Sequence, residues 1–550
     1  MSPPVASYDR FVCIVFSILL GLAANQPTQA AEELRVDADV LLTGGTLHDG
    51  SGNPGLIGDL AIRDDKIVAI GKFTAGKIGR TIPCQGLIVA PGFIDLHNHS
   101  DSDIEVENKE TGKTESTRPI LAPETRSATC YLTQGCTMLV TGNCGGGALD
   151  VGDYYAQLEK QPPGINIAQL LPQGSLRAKI IGETRRAPTE KELEQMLALA
   201  RQAMLDGAWG MTTGLQYVPS AYATTDEIAA IAKVVGEHDG FYASHIRNEG
   251  DTLLESVEEA LEIGRRGNLP VHVSHFKASN KPNWGKVRAA AALLEHARAE
   301  GLRVTADQYP YDASSTAITA MLLPDEEREG GDSALIKRLD SPAEVGRLRP
   351  IIEKSLDARG RIMVARCPKH PTWVGKLISE IAADENRAEV EVALDIIRSG
   401  DEAGVSFSMD EADVRYVMTL PWVATASDGG VKVDDGTRPH PRSFGTFPRK
   451  IGRYALQEKV IPLEQALRSA TGLAADVLGL TDRGYLRVGQ YADIVVFDPQ
   501  TFLDHATFES PFEPSTGVRY LLVNGQLAID DNQLAITNAG RPLRKISTQR

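Results

Sequence analysis

The sequence predicts a (β/α)8 barrel of the TIM type, with a small β-sandwich domain built from both chain ends and a subdomain inserted before the last barrel strand. Three observations predict it. Short apolar segments between residues 87 and 428 alternate with helical patterns, as parallel strands joined by crossover helices do. The two chain ends instead show short alternating strands separated by turn residues. Residues 312–421 interrupt the last strand–helix unit with helical and short strand segments of their own, which suits an inserted subdomain or lid.

Taken in order, residues 1–30 read as a signal peptide. Phe11 to Ala24 is an apolar run preceded by Arg10, and Thr28-Gln29-Ala30 supplies small residues for cleavage. The run is shorter than the roughly 20 residues of a membrane helix. Export to the periplasm or the extracellular space is therefore expected, with no membrane contact after cleavage; an uncleaved segment would instead anchor the chain. Residues 31–86 carry the strands Ala38–Leu42, Asp59–Ile62 and Lys66–Ile70, and the same texture returns at Ala492–Phe497 and Tyr520–Gly525. Residues 31–86 and 476–550 are thus expected to build one domain around the barrel of 87–475.

The expected barrel strands are Leu87–His99, Thr137–Thr141, Ile165–Leu171, Gly207–Thr213, Gly240–His245, Pro270–His275, Leu302–Asp307 and Trp422–Asp428. Among the helices, Thr225–Glu237 follows Thr224, which with Glu227 has capping-box spacing. The helix after Asp251 puts Leu254, Val257 and Leu261 on one face, and an Ala-rich helix covers Lys286–Ala299.

Hydrophobic residues make up 42% and charged residues 24%, a globular rather than a disordered profile. A formal charge of −16 offers no field to attract phosphate and argues against a nucleic-acid partner. Six cysteines are too few for a disulfide scaffold at this length. Without Cys13 of the signal, Cys84, Cys130, Cys136, Cys144 and Cys367 remain, so at least one thiol is unpaired and calls for a role.

Active sites of such barrels lie at the C-terminal strand ends. Those ends carry His97, His99, Cys144, His245, His275 and Asp428, five good zinc ligands and one carboxylate. Each alone has an ordinary reading: a hydrogen-bonded imidazole, a buried cysteine in a glycine turn, a capping aspartate. Their coincidence at strand ends points to a metal centre, with Asp428 as general base. In a strand, His97 and His99 share a face. On its own strand His275 shares a face with Val271 and Val273, so His272 points the other way and reads as structural, as do His238, His296, His370 and His505.

Several motifs occur in a fixed order: Gly92-Phe93-Ile94-Asp95-Leu96-His97-Asn98-His99, Gly142-Asn143-Cys144-Gly145, His245-Ile246-Arg247-Asn248-Glu249, Ser274-His275-Phe276-Lys277, Tyr309-Pro310-Tyr311, Ser427-Asp428-Gly429, His440-Pro441-Arg442 and Gly445-Thr446-Phe447-Pro448-Arg449. The set resembles the N-acyl-D-amino-acid deacylases (D-aminoacylases) of the amidohydrolase superfamily, over essentially the whole chain after the signal. The resemblance implies zinc-dependent hydrolysis of the amide bond of small N-acyl-D-amino acids. Cys144, His245 and His275 would hold a tight Zn2+, and His97 and His99 with Cys144 a second, weaker metal position. Asp428 would take a proton from the attacking water and return it to the departing amine, while Lys277, Tyr309 and Arg442 would receive the substrate carboxylate. The alternative is another amidohydrolase reaction, on a cyclic amide or a dipeptide with a D-residue. Ala313–Leu323 carries no Arg or Lys, which leans towards neutral or hydrophobic D-amino acids. Gln173, where the family commonly has histidine, and the longer Gly430–Pro439 loop depart from the pattern.

Overall fold

The computed structural model describes residues 35–108, 113–535 and 537–546. The segment expected as a signal peptide lies outside the described residues.

Eight parallel strand positions form the barrel: β1 (Phe93–Asp95), β2 (Cys136–Thr141), β3 (Asn166–Gln169, continued by Leu171–Pro172), β4 (Gly210–Gly214), β5 (Phe241–His245), β6 (Val271–Val273), β7 (Val304–Gln308) and β8 (Val423–Thr425). The ladder is interrupted at Leu170, where the chain bonds to both neighbours in turn: Leu170 N–H donates to Thr141 O (2.9 Å) and Trp209 N–H to Gln169 O (3.0 Å). Between β8 and β1 the link is one isolated parallel bridge, Asn98 with Gly429. Two hydrogen bonds flank it, Asp428 N–H to His97 O (2.9 Å) and His99 N–H to Gly429 O (2.7 Å). The ring therefore meets at the very residues that carry the site.

Strand alternation sorts the side chains into two layers. Ile94, Leu96, Met138, Val140, Ala168, Leu170, Ala243, Ala424 and Ala426 fill the inside, where Leu473 and Leu478 of the helix Gly472–Leu478 pack against them. Ile167, Met211, Tyr242, Val271, Val273, Val304 and Val423 face outward, in one core with Ile228, Ile231, Val257, Leu261, Val287 and Leu294 of the covering helices.

Both chain ends contribute to a second, nine-stranded sheet. Its seam is Ile88–Pro91, parallel to Arg35–Leu47 on one side and antiparallel to Ile494–Phe497 on the other. The run Leu87–His99 is thus not one strand. Ile88–Pro91 belongs to this sheet and Phe93–Asp95 to the barrel, and the chain changes sheets at Gly92. A Cβ there would lie 2.2 Å from Thr137 Cγ2, so only glycine lets the crossing pass this close to β2.

Between β7 and β8 the chain builds a three-stranded antiparallel sheet from Ser314–Thr316, Ile362–Arg366 and Ala403–Ser406. Helices including Pro342–Arg359 and Glu389–Ser399 cover it, and Ile318, Leu348, Ile352, Val364, Ile381, Val392 and Leu394 give it a core of its own.

One capping expectation is corrected. Thr224 Oγ1 accepts from Glu227 N–H (3.2 Å), a cap worth about 1 kcal/mol, but the reciprocal half of the box is missing. The Glu227 carboxylate is instead buried against Arg177, 3.0 Å away.

Candidate active site

The strand ends are tied together before any chemistry is considered. Asp95, at the end of β1, accepts from Ser427 N–H (2.8 Å) and Asn98 Nδ2 (2.9 Å), which docks the end of β8 against that of β1. His97 and His99 then converge on one oxygen: Asp428 Oδ1 lies 3.3 Å from His97 Nε2 and 3.0 Å from His99 Nε2. The Cys144 thiol joins from the turn after β2, with its Sγ 3.2 Å from His97 Nε2, 3.7 Å from His245 Nδ1 and 3.6 Å from His275 Nε2. All six donors expected from the sequence therefore meet. They form two groups in which every ligand atom lies within 4.8 Å of the others: His97, His99, Cys144 and Asp428, and Cys144, His245 and His275. Cys144 belongs to both.

Backbone geometry does the aiming. Cys144, His275 and Asp428 have φ of 51°, 36° and 50°, a left-handed region that non-glycine residues seldom occupy. For His275 this overturns the face assignment made from alternation. Val271 and Val273 pack on the helices, and His272 turns inward, where its Nε2 meets Asp307 Oδ2 at 2.9 Å. The strand has ended by His275, and the left-handed turn swings that ring back to the cavity. His272 is structural as expected, but on the inner side.

Three residues overlooked in the sequence hold the imidazoles from behind. Asp307 Oδ2 faces His97 Nδ1 (3.3 Å) and its Oδ1 accepts from His275 N–H (2.7 Å). Gln216 Oε1 faces His245 Nε2 (2.9 Å), and Glu249 Oε1 faces His275 Nδ1 (2.8 Å). Each contact leaves the other ring nitrogen free to point at the centre, the arrangement by which outer partners fix metal-ligating histidines. Asp307 closes a predicted strand and Glu249 stands in a quoted motif, so both carried a signal; Gln216 carried none.

The expected carboxylate-binding residues also line the cavity, which is about 310 Å³ in volume. Lys277 Nζ and the Arg442 guanidinium lie 5.8 and 4.8 Å from the centre of the Tyr309 ring. Both cations have partners inside the protein: Lys277 contacts Glu249 (2.5 Å), and Arg442 Nη1 contacts Asp428 Oδ2 (2.6 Å).

The electrostatics follow from this crowding. Burial opposes ionisation of the Cys144 thiol, yet the imidazoles of His97, His245 and His275 outweigh it and hold the thiol well below its ordinary range. Burial likewise opposes the Asp428 carboxylate, and Arg442, His97, His275 and His99 together keep it ionised. A thiolate, a carboxylate and four imidazoles in one buried space form a donor set suited to zinc. Among the described residues the other cysteines, Cys84, Cys130, Cys136 and Cys367, are buried and unpaired.

The chain also has relatives among known proteins. A family model described as "Amidohydrolase family" matches residues 150–529. D-aminoacylase from Alcaligenes xylosoxydans xylosoxydans is 34% identical over 92% of this chain and 98% of its own length. N-acyl-D-glutamate deacylase from the same organism is 33% identical over 88% of this chain and 93% of its own. The structure of N-acyl-D-glutamate deacylase from Bordetella bronchiseptica, complexed with zinc and a phosphonate mimic of the tetrahedral intermediate, superposes with a TM-score of 0.76. It has 33% identity and covers 92% of this chain and 100% of that one.

Proposed function

The chain belongs to the amidohydrolase family, and from that premise we propose that it hydrolyses the amide bond of N-acyl-D-amino acids to a carboxylate and a free D-amino acid. The observation that carries this reading is the position of Asp428. One of its oxygens faces the two histidines that follow β1, and the other is anchored by Arg442 at the cavity wall.

The donor set fits Zn2+, with Cys144, His245 and His275 as the tight site and His97 and His99 sharing Cys144 at a weaker one. When bound, zinc supplies Lewis-acid polarisation of the amide carbonyl and acidifies water to a pKa near ~7. Asp428 Oδ1 takes the proton of the attacking water and later delivers it to the amine nitrogen, a leaving group that cannot depart as an anion. Glu249 and Asp307 keep His275 and His97 in the tautomers that present Nε2 to the centre. Lys277, Tyr309 and Arg442 form one cationic, hydroxyl-bearing wall for the α-carboxylate, and Arg can hold it with parallel hydrogen bonds. With the carboxylate and the scissile carbonyl both held, the two configurations at the α-carbon would send the side chain to different walls, which is how such a site discriminates isomers.

The test is turnover of paired N-acetyl-D- and N-acetyl-L-amino acids, a hydantoin and a D-residue dipeptide by the zinc-loaded protein. Strong D over L preference on the linear N-acyl substrates supports the reading. Equal turnover of both isomers, or preference for the ring or the dipeptide, removes it in favour of another amidohydrolase reaction. The composition of residues 11–24 further supports export, which N-terminal sequencing of the mature protein checks.

A further inference from the structure

The metal cavity does not close at its outer end. Gln216, Asn248, Asp251, Asn280 and Arg359 line it and also line a second, outer chamber of about 690 Å³, so the two spaces meet at this throat. One wall of the outer chamber is apolar, with Met321, Leu322, Leu323 and Ile351. Among the charged residues of its lining the cations predominate: Arg185, Arg247, Arg328, Lys354 and Arg359 against the carboxylates of Asp251 and Asp325.

Three of these groups are already engaged. Arg247 pairs with Glu259 at 2.8 Å, Arg328 donates to the carbonyls of Gln216 and Pro324, and Asp251 accepts from Asn283 Nδ2 (3.0 Å). Of the cations lining the outer chamber, Arg359 is the one that also lines the metal cavity. It closes the helix Pro342–Arg359 of the inserted subdomain and is half-buried at the throat. Its Nε donates to the Met321 carbonyl (2.8 Å), which sets the orientation of the guanidinium. Neither of its Nη nitrogens has a hydrogen-bond or ionic partner among the described residues. Burial presses its pKa below the ordinary value, and Glu249 offsets part of that. A half-buried guanidinium whose two Nη groups are free, in fork geometry, matches a carboxylate.

We propose that Arg359 forms a subsite for a second carboxylate on the substrate, so that the preferred substrates are N-acyl-D-amino acids carrying two carboxylates joined by a short methylene chain. The proposal rests on the deacylase reading above. The first carboxylate occupies the Lys277–Tyr309–Arg442 wall, the amide lies at the metal centre, and the apolar linker runs towards Met321 and Leu322. This reverses the neutral preference expected from Ala313–Leu323. That segment contributes a carbonyl anchor and an apolar wall, while the cation arrives from a helix more than thirty positions later. The second carboxylate can belong to the D-side chain or to the far end of the acyl group.

Two isosteric pairs separate these sources: N-acetyl-D-glutamate against N-acetyl-D-glutamine, and N-succinyl-D-leucine against N-succinamoyl-D-leucine. The zinc-loaded wild type, R359M and R359K are assayed on all four. In the wild type the charged member of one pair is expected to exceed its uncharged partner at least tenfold in kcat/KM, mainly through KM. R359M brings that ratio close to one and R359K restores part of it; the pair that responds identifies the source. The proposal is overturned if the wild type shows no preference in either pair, or if R359M lowers charged and uncharged members equally. If none of the four is hydrolysed, the deacylase reading itself falls and takes the subsite with it.

Discussion

Arg442 holds Asp428 by the oxygen that faces away from the histidines: Nη1 lies 2.6 Å from Oδ2, while Oδ1 meets His97 and His99. The pair is buried, and the cation both orients the carboxylate and keeps it ionised. Asp428→Asn keeps the shape but cannot take a proton. It is expected to lower kcat by about 10²–10⁴-fold or more while metal content, measured on the same preparation, is unchanged. Loss of metal together with activity would reassign Asp428 from base to ligand.

Arg442→Met removes the cation that most favours the Asp428 carboxylate. The base must be deprotonated to act, and without the guanidinium its pKa rises. The acidic limb of the kcat/KM profile is therefore expected to move to higher pH. Stability should also fall by about 3–5 kcal/mol, the cost of leaving a buried charge unpaired. A variant that loses substrate affinity with an unmoved acidic limb would show that Arg442 serves the substrate alone.

Cys144 is the donor common to both groups, and Glu249 stands behind His275. Cys144→Ala should therefore abolish tight zinc binding, read by metal analysis after dialysis against a weak chelator. Glu249→Gln should weaken it only about 10–100-fold, because the ring keeps its place but loses its charged partner. Equal losses in the two variants would contradict this ranking.

The Cys144 turn is held against β4 at Gly214, where an added Cβ would sit 2.0 Å from the Cys144 carbonyl oxygen. Neither backbone can yield cheaply. Gly214→Ala is expected to cost about 1–3 kcal/mol and to lower zinc retention with it. An unchanged thermal midpoint with full metal content would show that the turn has slack.

Glu402 sits in the inserted subdomain and accepts from Thr319 N–H (2.9 Å), from Thr319 Oγ1 (2.6 Å) and from Ile318 N–H. Burial outweighs these bonds and pushes its carboxyl up to about 7. A carboxyl raised in the fold contributes stability that is complete below its ordinary value of 4.5 and is lost as pH rises through about 7. Hydrogen exchange in the helix Ile318–Leu322 should accordingly quicken across that window, beyond the intrinsic rise with pH, and Glu402→Gln should flatten the excess. An excess that persists in Glu402→Gln would assign it to another group.

Local pattern alone found the eight barrel strands, although it merged the first with a strand of the second sheet, and it found the six donors at or just beyond their ends. Strand period and turn residues are written in consecutive positions, and ligand chemistry is written in residue type. The tertiary structure decided the rest. Left-handed φ at Cys144, His275 and Asp428 breaks the alternation that a linear reading assumes, which is why His275 swung back to the cavity; packing of Val271 and Val273 on the helices put His272 inside. Asp307, Gln216 and Glu249 act on imidazoles carried by other strands or by the loops after them, so nothing near them in the chain states whom they meet. Arg359 belongs to a helix folded over the mouth of the barrel, and its place at the throat follows from how that subdomain packs. Residue type determined what chemistry was available; long-range packing decided which groups share one space, because dehydration and charge act through distance in the fold and not along the chain.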